Sequence, residues 1–207
     1  MLSTVKHFFK NAKVTFTKTF TSFGSNPDLT QLNSQQYQTT DPQARIKQEE
    51  FMRIAIQASA ETMREGKGGP FGSVITRNGE IVVVGANEVL FLHDLTAHAE
   101  VVAIRKACKE LKTFRLDDCE MYTSCEPCPM CLGAIHMAGI KKVYYANSRK
   151  DADDLGFEVT QMYEEMSKPN EDRKYPMQRL LHDEARVVFE EWTNEYAAKA
   201  WKQVSGE

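Results

Sequence analysis

The residues of this sequence with the clearest chemical potential are one histidine and two cysteines with the spacing of a metal site. His98 stands two residues before Glu100, and Cys128 and Cys131 follow on a second predicted helix. Two cysteines at positions i and i+3 lie on one face of a helix, so both sulfurs can reach the same ion. Sulfur combined with imidazole selects zinc. We therefore expect His98, Cys128 and Cys131 to bind one Zn²⁺ per chain.

This ligand set predicts a catalytic metal rather than a structural one. Three protein ligands leave the fourth tetrahedral position for water. Zinc lowers the pKa of that water from about 15.7 to about 7, which makes a nucleophile available near neutral pH. We expect Glu100 to neighbour the metal without binding it, because side chains two residues apart on a helix face different ways. Its carboxyl would then transfer protons as a general acid and base.

Two other interpretations of the cysteines stay open. Cys125 precedes Cys128 by three residues, so three cysteines with His98 would form a closed structural site that has no water ligand. The pairs of cysteines also fit a thiol–disulfide motif, although that interpretation leaves the histidine and Glu100 without a role. The simpler expectation is that Cys125 is a buried thiol at the end of a strand.

The elements that must position these ligands alternate between helices and strands. In chain order they are a helix over 41–66, strands over 71–76 and 80–85, a helix over 96–111, a strand over 121–124, a helix over 127–139 and a strand over 142–146. Asp41-Pro42 supplies an N-cap with a first-turn proline, and Asn78-Gly79 supplies a hairpin turn. Thr96 is the predicted cap of the second helix, and Gly139 ends the third.

This order predicts an α/β protein with three layers, in which helices cover both faces of a mixed sheet of about five strands. A last helix is expected over 183–202, with a buried side formed by Val187, Val188, Trp192, Tyr196 and Trp201. We predict a folded domain over 41–202, followed by a short tail over 203–207.

Charge and composition restrict the partners. The 207 residues carry a formal net charge of -3, and four lysines with no acid before Asp28 contribute +4, which leaves -7 for residues 28–207. Nucleic-acid-binding domains usually carry a clustered basic excess, so we expect a small-molecule ligand and no nucleic-acid partner. No window of about 18 apolar residues exists, so we expect no transmembrane span. The odd set of five closely spaced cysteines favours reduced thiols and the cytoplasm over a secreted disulfide framework.

The first 40 residues form an extension with a different character. Over 1–24, apolar residues recur every three or four positions with lysines mostly on the other face, and a polar linker follows. Such a basic amphipathic segment is typical of a mitochondrial transit peptide or of a helix on a membrane surface. A tail without a function is the alternative.

The combination of H-x-E with P-C-x-x-C is the pattern of zinc deaminases. Around it, the segments 69–72, 85–87, 96–101 and 122–135 resemble the guanine deaminases of the cytidine/deoxycytidylate deaminase superfamily, a similarity that covers about residues 45–200. The resemblance implies a cytidine-deaminase-like fold and a hydrolase acting on cyclic amidines, which converts guanine to xanthine and ammonia. Guanosine deamination, RNA editing at adenosine and a non-catalytic zinc module remain the alternatives.

The resemblance also implies a set of substrate contacts: Asn87, Phe71, Ala99, Ser124, Glu158 and Trp201. By this resemblance, the Asn87 amide hydrogen-bonds the purine, the Phe71 ring packs on the purine ring, and Trp201 is the aromatic residue of a lid. The C-terminal segment would be exchanged between the subunits of a homodimer. Three positions depart from the family. Glu158-Val159 stands where Asp-Asp is typical, which removes one acid that could recognise guanine, and Gly139 stands where arginine is usual.

Overall fold

The computed structural model describes residues 39–205, except the side chains at positions 203 and 205. The predictions for the basic amphipathic segment lie outside the described residues. Within them, four strands form one sheet in the order β2-β1-β3-β4. The strands are β1 (Gly72–Arg77), β2 (Glu80–Ala86), β3 (Cys119–Cys125) and β4 (Lys142–Asn147). The described part of the chain therefore has one strand fewer than the expected five or so.

The sheet is mixed, as predicted. Strand β1 is antiparallel to both β2 and β3, whereas β3 and β4 are parallel. The turn between β1 and β2 places Asn78 at a φ of 54° and Gly79 at 74°, the pair of positive angles that a tight hairpin turn requires. The parallel pair is joined through a helix, so the carboxyl end of β3 leads directly into the cysteine motif.

Helix α1 (Pro42–Arg64) covers one face of the sheet. The Asp41 side chain caps it by accepting a hydrogen bond from the backbone N–H of Gln43 at 2.9 Å, as the sequence predicts. Phe51 and Ala55 of this helix pack with the buried side chains of β1 and β3. The approach is close, because a Cβ on Gly72 would lie 2.1 Å from the backbone oxygen of Ala55.

Helices α3 (Ala99–Leu111) and α4 (Pro129–Ala138) cover the other face, which confirms the three-layer arrangement. A short helix, α2 (Val89–Leu92), precedes α3. Gly85 of β2 brings α3 onto the sheet, since a Cβ there would lie 2.5 Å from the backbone oxygen of Ala99. Gly139 ends α4 with a φ of 82°, as predicted.

The predicted start of α3 is wrong by two residues. His98 occupies the N-cap position, whereas the Thr96 hydroxyl donates a hydrogen bond to Asp94 at 2.7 Å. Helix α4 likewise starts later than the predicted Pro127, with Cys128 at its N-cap. His98 and Cys128 are both predicted inside the first turn of a helix, and both instead occupy the N-cap position just before it.

The C-terminal part of the described chain is a series of short helices. Helices α5 (Arg149–Asp154) and α6 (Val159–Ser167) pack near α4, and α7 (His182–Glu191), a π-helical turn (Trp192–Tyr196) and α8 (Ala197–Ser205) follow. The predicted buried side of this last segment is wrong for the single chain: its five apolar side chains are 44–62% exposed. An amphipathic pattern reports an apolar stripe, but it does not say which surface covers that stripe.

No helix among residues 39–205 is long and apolar enough to span a membrane.

Candidate metal centre

The three predicted zinc ligands lie where two helices begin. His98 and Cys128 are the N-cap residues of α3 and α4, both with extended backbone angles, and Cys131 lies in the first turn of α4. Neither side chain makes the usual N-cap hydrogen bond to its own helix. Both side chains instead face each other across the gap between the two helices. The positive ends of two helices therefore converge on one point, which favours thiolate over thiol.

The distances fit a tetrahedral zinc ion. The Nδ1 atom of His98 lies 3.6 Å from the Sγ atom of Cys128 and 3.5 Å from that of Cys131. Zinc bonds of about 2.3 Å to sulfur and about 2.0–2.1 Å to nitrogen, at a tetrahedral angle, separate the two ligand atoms by about 3.6 Å. Among the described residues, these three form the one group of histidine, cysteine or acidic side chains close enough to share an ion. The residues present therefore fit zinc.

The electrostatics of the three groups also suit a cation. The pKa of Cys128 falls to about 4, first because its sulfur accepts a hydrogen bond from the Cys131 thiol and further because His98 lies beside it. The pKa of Cys131 is raised because its thiol donates that bond and is buried. The pKa of His98 is raised, first by its hydrogen bond to Cys128. Zinc binds thiolates and a neutral imidazole, so its binding here would release the protons of these groups.

Cys125 lies outside the ligand group. Its sulfur packs in the apolar cluster behind Cys128 and Cys131 and contacts the backbone oxygen of Ser148 at 3.7 Å. Burial raises the pKa of the Cys125 thiol to about 11, which disfavours the thiolate that a metal needs. The prediction of a buried thiol is confirmed, and the geometry disfavours a closed site with three cysteines.

Glu100 lies beside the metal ligands without joining them. It is the second residue of α3, its side chain is buried, and it hydrogen-bonds with Cys131. Burial is the largest cause of its raised pKa, and the negative charge of Cys128 adds to the effect. Burial favours the protonated form of such a carboxyl, which suits a group that takes up and passes on protons beside a metal site.

Asn87 follows β2 and is held firmly by the backbone around it. Its Oδ1 atom accepts hydrogen bonds from the N–H groups of Gly69 at 3.2 Å and Val89 at 3.3 Å, and its own N–H donates to the oxygen of Phe71. A Cβ on Gly68 would overlap that Oδ1 atom at 2.1 Å. The amide orientation is therefore fixed, and its Nδ2 group makes no hydrogen bond within residues 39–205.

Phe71 packs beside the metal ligands, and Ser124 lies near the end of β3. The Phe71 ring packs against the cluster that contains Cys128 and Cys131, and it meets the Phe157 ring edge-on at 4.9 Å. The Ser124 hydroxyl oxygen accepts a hydrogen bond from the N–H of Gly72 at 3.0 Å, which joins β1 to the end of β3. That hydroxyl keeps its hydrogen for a second partner.

The remaining predicted contacts divide into two groups. Ala99 is fully buried as the first residue of α3, directly beside His98. Glu158 is exposed, with a φ of 51°, and precedes Val159, which packs with the metal-site cysteines. Trp201 lies in α8, which has no extensive contact with the described elements that carry the ligands. Of the six predicted contacts, Ala99 adjoins the ligand His98 and Phe71 packs in the cluster of the metal-site cysteines. The roles of all six in substrate binding stay predictions.

Sequence reasoning missed the residues that support the cysteine turn from outside. The hydroxyl of Tyr163 donates a hydrogen bond to the backbone oxygen of Pro127 at 2.7 Å, and Glu126 accepts one from the N–H of Arg149 at 3.0 Å. The only local signal was the position of Glu126 and Pro127 inside the motif. Their partners lie more than 20 residues away in the chain, where no spacing rule points to them.

Comparison with known proteins identifies the family. A family model described as the cytidine and deoxycytidylate deaminase zinc-binding region matches residues 45–147, which include all three ligands. A guanine deaminase of Bacillus subtilis is 48% identical over 146 residues, covering 70% of this chain and 94% of that protein. The chain belongs to the cytidine and deoxycytidylate deaminase family. Its predicted zinc cofactor is accordingly supported by both the family and the ligand geometry.

Other relatives in the deaminase family show the range of its substrates. The X-ray structure of the Bacillus subtilis guanine deaminase matches with a TM-score of 0.68, over 70% of this chain and 93% of that chain. A tRNA-specific adenosine deaminase of Aquifex aeolicus is 39% identical over 47% of this chain and 64% of that protein. A structure solved in complex with 8-azaguanine matches at 29% identity with a TM-score of 0.51, over 53% of this chain and 63% of that chain. The cytidine-deaminase-like fold is confirmed.

Replacing individual cysteines tests the three-ligand site. Cys125→Ala should keep about one zinc per chain, because Cys125 contributes packing and no ligand atom. Cys128→Ala is the matched variant and should lose most of the metal, since two ligands hold zinc far more weakly than three. Metal content measured by atomic emission on purified, dialysed protein checks both. Loss of zinc from Cys125→Ala with the fold intact would contradict an open site.

Proposed function

We propose that this chain is a zinc-dependent aminohydrolase that converts guanine and water to xanthine and ammonia. The observation that carries the proposal is the buried carboxyl of Glu100 beside a three-ligand metal site. The proposal is supported by 48% identity to a guanine deaminase over nearly that protein's whole length. The substrate is then a small planar purine, as the acidic balance of residues 28–207 also favours.

The reaction adds water to ring carbon C2 and breaks the bond from C2 to the exocyclic nitrogen. Zinc held by His98, Cys128 and Cys131 would supply an activated water molecule. Glu100 takes a proton from the nucleophile and delivers one to the adjacent ring nitrogen. Glu100 next takes the proton of the newly added hydroxyl group and passes it to the exocyclic nitrogen, so that ammonia leaves and C2 becomes a carbonyl carbon of xanthine. The raised pKa of the buried Glu100 carboxyl suits this role, because burial favours the protonated form that donates the proton.

The residues around the centre supply the contacts that a purine requires. The Nδ2 group of Asn87 is a fixed donor for a ring acceptor, since its Oδ1 atom is already bound to two N–H groups. The Phe71 ring offers a face for stacking, and Ser124 offers a hydroxyl hydrogen. The N–H of Ala99, at the start of α3, and the carboxylate of Glu158 complete the polar contacts, with Glu158 accepting from the N–H groups of guanine.

The alternatives differ in what they need from the protein. RNA editing needs a basic groove for phosphates, which the charge of -7 over residues 28–207 makes hard to build. Guanosine needs only space for a ribose beside the base. A structural zinc module would need a fourth protein ligand, and Cys125 does not supply one. Guanine deamination is the function that uses every feature of the site.

We also propose a cytoplasmic location, because reduced zinc-binding thiols are stable there.

A glutamate replacement tests the proton-transfer role. Glu100→Gln should lower kcat for ammonia release from guanine by about 10²–10⁴-fold, because an amide cannot carry the proton. Zinc content should stay unchanged, since Glu100 is not a ligand. Glu110→Gln, an exposed position on the same helix, is the control and should behave as the wild type. Guanosine, adenine, cytosine and cytidine assayed in parallel, with and without chelator, establish the substrate.

The result that would contradict the proposal is near-normal turnover by Glu100→Gln. Ammonia release from cytidine or adenine in preference to guanine would reassign the substrate while leaving the mechanism in place.

We further propose a homodimer in which the C-terminal segment of one chain packs on the other. This segment, α7 to α8, keeps its apolar side chains exposed in the single chain, and such surfaces mark interfaces. Trp201 would then close the partner's pocket.

Light scattering should give a mass near twice the 23.6 kDa of one chain. A variant that ends at Leu181 should be monomeric, and a monomeric full-length chain would contradict the assembly.

A further inference from the structure

We propose that Tyr163 is a positioning residue for the zinc site: with Arg149 and Glu126 it clamps the turn that presents Cys128. The inference concerns the metal centre of the proposed function and deepens it. The three side chains come from α6, from α5 and from the residue that follows β3. None of them is a metal ligand. We call Tyr163, Arg149 and Glu126 the turn clamp.

The turn needs support from outside because its own backbone offers little. Pro127 and Pro129 flank Cys128, and neither has an N–H group to donate. Cys128 contributes its backbone oxygen to α4, where Leu132 donates to it at 2.8 Å. The oxygen of Pro127 precedes the helix and has no helical partner, although the residue is buried. A buried carbonyl without a donor is costly, so this oxygen requires a hydrogen bond from another element.

Tyr163 supplies that bond. Its hydroxyl donates to the oxygen of Pro127 at 2.7 Å, one peptide unit before the Cys128 ligand. Tyr163 lies one turn after Val159, which is buried in the same apolar cluster as Cys128 and Cys131. The tyrosine therefore reaches the turn from a helix that is already packed against the metal-site sulfurs. Its hydroxyl fixes the peptide group whose rotation would move the Cys128 side chain.

Arg149 and Glu126 complete the clamp. The Glu126 carboxylate accepts the backbone N–H of Arg149 at 3.0 Å and pairs with its guanidinium at 3.5 Å. The guanidinium lies over the Tyr163 ring, 4.9 Å from its centre, in a cation–π contact. The Glu126 N–H donates to the oxygen of Asn147 at the end of β4. The turn is thus tied on one side to the sheet and on the other to α6.

If the turn clamp positions Cys128, removing the Tyr163 hydroxyl should weaken zinc binding, whereas loss of an ordinary packing contact should not. Partners that orient metal ligands typically contribute about 10–100-fold in metal affinity. Without the Tyr163 hydroxyl, the Pro127 peptide can rotate and Cys128 leaves the arrangement that matches zinc. The ring, its contact with Arg149 and the buried packing of α6 all persist in Tyr163→Phe.

The experiment measures zinc release from the full-length, zinc-loaded protein into a chromogenic chelator, in the absence of purine. Tyr163→Phe should release zinc about 10–100-fold faster than the wild type. Tyr145→Phe, which alters an exposed tyrosine on β4, is the matched control and should release zinc at the wild-type rate. Arg149→Ala should have a smaller effect in the same direction, because its backbone N–H still reaches Glu126. In Tyr163→Phe, the visible spectrum of the cobalt-substituted protein should shift.

Thermal unfolding separates positioning from general stability. Tyr163→Phe should lower the midpoint of the zinc-loaded protein more than that of the metal-free protein. Equal lowering of both midpoints with unchanged zinc release would overturn the inference. Fast zinc release by Tyr163→Phe would support the clamp even if the wild-type protein did not deaminate guanine. If Tyr163→Phe deaminated guanine and released zinc at the wild-type rate, the clamp would be refuted and the proposed function would stand.

Discussion

The convergence of two helix N-termini on one point is the constraint on which the rest of the molecule depends. His98 and Cys128 are both N-cap residues, and both leave their helices without a side-chain cap because their side chains face each other. The cost of two uncapped helix starts is offset when a cation joins the two side chains. Cys131, in the first turn of α4, adds the third ligand atom at a distance that suits a tetrahedral ion.

The sheet determines where those two helices begin. Strand β3 ends at Cys125, and the N-cap residue of α4 follows three residues later, so the cysteine turn is a direct extension of a buried strand. Helix α3 is held on the same face by the close approach of Gly85 to the backbone of Ala99. The same sheet end carries Asn87 after β2 and Ser124 on β3. The residues proposed to contact the purine and the metal ligands thus follow from strands that end at the same edge of the sheet.

The sequence predicted much of this arrangement because the decisive signals are local. The H-x-E and C-x-x-C spacings, the Asn78-Gly79 turn and Gly139 each act through a few neighbouring residues, and the structure agrees with them. The Thr96 cap failed because His98 takes the N-cap position for the metal instead. The predicted burial of Trp192 and its neighbours is wrong for the single chain, because an amphipathic pattern indicates an apolar stripe and does not indicate what covers it. Tyr163 escaped notice because its contact with Pro127 spans 36 residues.

The central claim is that one zinc ion is bound by three protein side chains and one water molecule. X-ray absorption of the zinc-loaded protein measures that inner sphere directly. The account predicts two sulfur atoms at about 2.3 Å and two nitrogen or oxygen atoms at about 2.0–2.1 Å. A sphere with three sulfur atoms and one nitrogen atom would mean that Cys125 closes the site, and it would contradict the account.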